Sequence, residues 1–101
     1  MTKRERIVEL WEECNVNGIV SDMIDKADTW KDYNARYCIV YDEETDDLFV
    51  VVEGSEERTE SFTYLFEVDG SYFIEDDMEW LEESLYEDIM AAVPKAIREL
   101  E

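Results

Sequence analysis

The spacing of apolar residues changes twice along this chain of 101 residues, and those two changes restrict its fold more than any single motif does. Between residues 3 and 14, Ile7, Leu10, Trp11 and Cys14 recur at i, i+3, i+4 and i+7, the stripe of an amphipathic helix. Thr2 stands where an N-cap belongs, with Glu5 three residues on, a capping-box spacing. Asn15 to Gly18 breaks the pattern. Ile19, Val20, Met23, Ile24 and Ala27 then predict a second short helix, with Ser21 or Asn17 as its cap.

From residue 36 the period falls to two. Tyr37, Ile39 and Tyr41 alternate with Arg36, Cys38 and Val40, a strand over 36–41. Asp42 to Asp47 is a polar turn. Residues 48–53, Leu-Phe-Val-Val-Val-Glu, are apolar on both faces and predict a central strand. After a charged loop over Gly54 to Glu60, Phe62, Tyr64, Phe66 and Val68 alternate with polar Thr63 and Glu67, which predicts a strand over 61–68 with those four on one face. Asp69-Gly70 is a tight-turn signal, and Tyr72, Phe73 and Ile74 are expected to return as a short fourth strand.

The helical period resumes at Asp76, with Met78, Leu81, Leu85, Ile89 and Ala92 on one face and Asp76 or Asp77 as N-cap. Pro94 is expected to kink or end this helix, since it lacks an N–H and disfavours helix at Val93. The expected fold is α+β, one compact domain over residues 1–101. An antiparallel meander of three to four strands is flanked by an N-terminal helical segment and a C-terminal helix kinked near Pro94.

Charge decides which functions are open. The chain has 29 acidic and 9 basic residues and no histidine, a formal net charge of −20. Such a polyanion repels nucleic acid and anionic membrane surfaces. Without histidine there is no imidazole base, nucleophile partner or metal ligand. With 46% hydrophobic and 13% aromatic residues the chain can still build a core, unlike disordered polyanions. Cys14 and Cys38 are far apart and lie in apolar patterns, so they read as small buried hydrophobes. No signal-peptide h-region and no membrane-length apolar run is present, which predicts a cytoplasmic protein.

The acids are segregated. Residues 37–94 hold 19 acids against Arg58 alone, a charge of −18, whereas residues 1–36 hold 8 acids and 6 bases. Uniform adaptation to high salt would not concentrate the charge in this way. Solubility of a small domain needs a net charge of only about 2–8 in magnitude. On a helical wheel Asp76, Glu79, Glu83 and Glu87 oppose the Met78-Leu81-Leu85-Ile89 stripe, and the last three are spaced roughly 6 Å apart along the axis. Carboxylates at i and i+4 repel, so the row is locally unfavourable. Its spacing is comparable to that of phosphates along one nucleic-acid strand. Asp46, Asp47, Glu56 and Glu57 in the loops are candidates for a second row. Trp80 lies beside the acidic stripe, where it is either an anchor for a protein partner or packs on the sheet edge or a neighbouring loop.

No catalytic or cofactor chemistry emerges. Asp42, Glu44, Asp46 and Glu53 match calcium-loop positions 1, 3, 5 and 12, but Asp47 replaces the glycine needed at position 6 and the flanks read as strands. There is no glycine-rich phosphate loop. The chain reads as a non-enzyme with no cofactor and no metal.

Small size, a mid-chain acidic block and a hairpin sheet between helices resemble the phage-encoded nucleic-acid mimics, the anti-restriction and anti-CRISPR inhibitors. The run from Tyr72 to Met90, YFIEDDMEWLEESLYEDIM, is similar in character to the acidic C-terminal helices of small Cas9 inhibitors. The resemblance implies a DNA mimic whose acids occupy the basic nucleic-acid groove of a CRISPR effector or other nuclease. Asp46, Asp47, Glu56, Glu57, Asp76, Asp77, Glu79, Glu83 and Glu87, with Trp80, are the expected contact residues. The rivals are an acidic immunity protein or antitoxin against a nuclease toxin, and an adaptor for a basic protein. Either a monomer or a homodimer is compatible with the sequence.

Overall fold

The computed structural model describes residues 2–54, 60–74 and 77–100. Helix α1 (Lys3–Glu13) and helix α2 (Val16–Trp30) precede three strands, β1 (Arg36–Asp42), β2 (Asp47–Glu53) and β3 (Phe62–Asp69). A 3-10 turn, η1 (Gly70–Ile74), then leads to the long helix α3 (Met78–Arg98). The α+β class agrees with the sequence reading.

Local chemistry sets the helix ends. The Thr2 hydroxyl accepts the Glu5 N–H at 3.2 Å and donates to the Glu5 carboxylate at 3.0 Å, so α1 starts on the expected pair. The break after α1 is shorter than expected. Asn15, not Ser21 or Asn17, caps α2, its side chain accepting from the Gly18 N–H. Helix α2 ends at Lys31, which adopts the left-handed conformation at φ 49°. Asp77 caps α3 by accepting the Trp80 N–H at 3.1 Å, whereas Asp76 lies outside the described residues. Helix α3 runs through Pro94 to Arg98 rather than ending there. Its buried positions, Leu81, Leu85, Ile89, Val93 and Ile97, fall at a strict i+4 spacing and carry the helix across the ring. Met78, placed with that stripe by periodicity, is instead 51% exposed at the helix start.

Strand order is β2-β1-β3, with both neighbours antiparallel to β1. The central strand is therefore β1, not 48–53. Tyr37, Ile39 and Tyr41 point to the helices and join Val50 and Leu65 in one core with Ile7, Met23, Leu85 and Ile89. The apolar residues on the second face of β2 belong to the opposite side of the sheet. There Val40 pairs with Phe49 and Tyr64, and the Phe49 and Phe62 rings meet edge-on at 5.6 Å.

Strand β3 corrects a second expectation. Its pairing with β1 shifts between Ile39 and Val40, opposite Phe66 and Tyr64 respectively, which leaves Leu65 as the extra residue of a bulge. Leu65, Phe66 and Val68 all pack on the helix-side core. Phe62 and Tyr64 pair with Asp42 and Val40 on the other face. The four residues read as one stripe are thus divided two and two.

The expected fourth strand is η1. Gly70 donates its N–H to the Ala35 carbonyl at 2.9 Å, and the chain there lies so close to α2's exit that a Cβ on Gly70 would stand 2.1 Å from the Asp32 carbonyl oxygen. Tyr72 then reaches α3, its hydroxyl within 2.9 Å of Ser84 Oγ and 2.8 Å of Asp88 Oδ2. Burial pushes this hydroxyl above the usual tyrosine range. Cys14 is half-buried and Cys38 is fully buried. No helix among the described residues is long and apolar enough to cross a membrane.

Candidate acidic interface

The expected site residues take different places. Glu79, Glu83 and Glu87 lie exposed on the solvent side of α3, opposite Leu81, Leu85 and Ile89. At a rise of about 1.5 Å per residue they form a row roughly 12 Å long. Trp80 is 51% exposed on the first turn of the same helix. Asp77 is held at the helix cap. Glu56, Glu57 and Asp76 lie outside the described residues.

Asp46 is committed elsewhere. It sits in the β1–β2 turn at φ 54°, a left-handed conformation that Asp tolerates better than most residues. The Arg6 guanidinium reaches it from α1 at 3.0 Å, and the Tyr41 hydroxyl donates to it at 2.7 Å. Arg6 first, and Tyr41 second, hold the Asp46 carboxyl below the usual carboxylate range. The same contact pushes the Tyr41 hydroxyl up. Asp47 is exposed at the start of β2, where its carboxylate accepts its neighbour's N–H, that of Leu48, at 2.8 Å. The Asp42 carboxylate, buried at the same turn, accepts the Glu44 N–H and the Thr45 hydroxyl. These bonds give the acids of the suspected calcium loop a turn-stabilising role.

Charge pairing divides the molecule. The five ion pairs among the described residues are Lys3–Glu43, Arg6–Glu9, Arg6–Asp46, Lys26–Asp22 and Arg36–Glu53. All lie in α1, α2 and the β1–β2 hairpin, and none involves α3. Of the five acids on α3, Asp88 accepts from Tyr72, while Glu79, Glu82, Glu83 and Glu87 are exposed to solvent and form no ion pair among the described residues.

Three further residues join this face without having been singled out by the wheel. Glu82 and Tyr86, with Asn17 from α2, line a shallow groove beside Glu83 and Glu87. Met90 lies exposed one turn beyond. Periodicity contained the signal for Tyr86 and Met90, because both fall outside the apolar stripe despite being apolar. Glu82 was hidden because the wheel sets it beside Ile89, seven residues on, and it is exposed only by the drift of the buried stripe. Among the described residues no group of three or more cysteines or acids is placed to hold a metal ion. Comparison with protein-family models, curated proteins and solved structures finds no match to this chain.

Proposed function

We propose that this protein is an acidic nucleic-acid mimic, an inhibitor that occupies the basic groove of a CRISPR effector or other nuclease and excludes target DNA. The observation that carries the reading is the uncompensated carboxylate row of α3. The bases of the N-terminal helices and hairpin neutralise acids near them, and Glu79, Glu82, Glu83 and Glu87 remain as an exposed anionic ridge. A basic groove built for phosphates attracts such a ridge over a distance set by the Debye length, so association is fast and weakens with salt. Trp80, Tyr86 and Met90 supply apolar area among the acids, as protein interfaces require and phosphates do not.

Affinity purification from bacterial lysate with the tagged full chain, at low and at raised salt, tests this. Recovery of a nuclease that is lost as salt rises, and whose labelled DNA the protein displaces, is the expected result. Recovery of a partner whose DNA binding is unaffected rejects the mimic.

A further inference from the structure

A cleft of about 230 Å³ opens between the end of α2, η1 and the start of α3. It is smaller than the roughly 300–1,000 Å³ of a drug-sized ligand site and suits a single side chain. Its lining combines three aromatic residues, Tyr33, Tyr37 and Phe73, with the carboxylates Asp28 and Asp32. Tyr37 and Phe73 meet edge to face at 5.0 Å. At the mouth, Tyr33, Ile74 and Met78 are each more than half exposed, an uncovered apolar rim. Lys31 also lines the cleft, its backbone held in the left-handed conformation by the end of α2.

We propose that this cleft receives an arginine side chain of the basic partner, its aliphatic stem on Ile74 and Met78 and its guanidinium among the aromatic rings near Asp28. The inference deepens the proposed function and rests on its reading of a basic partner. A leucine here would strip water from two carboxylates without replacing the lost hydrogen bonds. An ammonium is compact and strongly hydrated, whereas a guanidinium is planar, weakly hydrated and able to stack on aromatic faces while donating to a carboxylate. The net charge of −20 favours a cationic occupant over a neutral one at long range. Lys31 is the local opponent, since its positive charge at the cleft repels the incoming cation.

The test uses the isotope-labelled full chain without any partner, titrated with N-acetyl-arginine methylamide and followed by NMR. The norleucine analogue, which has an apolar stem and no charge, serves as control. Saturable shifts at Lys31, Tyr33, Gly70 and Ile74, with dissociation in the millimolar range, are expected for the arginine probe and not for norleucine. Asp28→Asn and Tyr33→Ala, both at exposed positions, should each weaken binding about threefold. Lys31→Gly should strengthen it by a similar factor, which a merely apolar cleft would not show. The inference is overturned by equal binding of norleucine, by shifts that spread along α3 without saturating, or by indifference to Lys31→Gly. Because no nuclease is present, its failure leaves the DNA-displacement result standing, and a failure of displacement leaves this titration standing.

Discussion

Arg6 and Asp46, forty residues apart in the chain, meet at 3.0 Å and tie the first helix to the β1–β2 turn. Tyr41 completes the contact from inside the sheet, so one carboxylate joins three elements. Asp46 is thereby paired within the fold, whereas Glu79, Glu82, Glu83 and Glu87 on α3 form no ion pair among the described residues.

Replacing Asp46 with Asn keeps a residue tolerant of the left-handed conformation but removes the charge. The carboxyl's pKa is lowered in the fold, so its stabilisation is complete above the unfolded value of about 4 and is lost as pH falls through the lower folded value. Asp46→Asn should therefore lower the urea midpoint near neutral pH. The gap from wild type should close as pH falls through that lowered value. An unchanged gap would mean that the Arg6 contact contributes nothing to stability.

Gly70→Ala should be severely destabilising. Its Cβ would meet backbone atoms, Asp32 O at 2.1 Å and Tyr33 Cα at 2.6 Å, which cannot swing aside as a side-chain tip can. A loss of about 2–3 kcal/mol or more is expected in denaturant unfolding. Gly54→Ala meets nothing within 4 Å and should stay within about 0.5 kcal/mol of wild type.

Changing Glu79, Glu83 and Glu87 together to Gln should separate function from stability. Two i,i+4 repulsions are relieved, so stability should rise by about 0.2–0.5 kcal/mol per pair, read as a higher thermal midpoint. Displacement of DNA from the captured nuclease should fall, and its salt dependence should flatten. Intact displacement by this triple variant would remove α3 from the interface.

Pro94→Ala should stabilise the protein by about 1–3 kcal/mol, because an N–H is restored inside a helix that runs on to Arg98. Calorimetry of the two proteins reads this directly. A loss of stability would mean that the proline ring's packing beside Val93 outweighs the missing hydrogen bond.

Legibility followed the range of the interaction. The Thr2 cap, the helix over 3–13 and the onset of α3 near Asp77 are set by residues three or four apart, and all were readable. So was the exposure of Glu79, Glu83 and Glu87, since a helical stripe fixes its own opposite face. The start of α2 at Asn15 was misplaced because several polar residues could each have capped it. The turn over Gly70–Ile74 read as a strand because three bulky residues after Asp-Gly carry the same local signal in either state.

The sequence by itself determined the three helical and three extended segments, that the class is α+β, and that the negative charge gathers between residues 37 and 94. Only the tertiary structure decided that β1 is central, that the Leu65 bulge sends Phe62 and Tyr64 to one face and Phe66 and Val68 to the other, and which acids are neutralised. The reason is physical. Period and capping are short-range properties written into neighbouring residues. Strand order, bulge position and ion-pair partners depend on which distant surfaces bury one another best, and those meet only when the whole chain has folded.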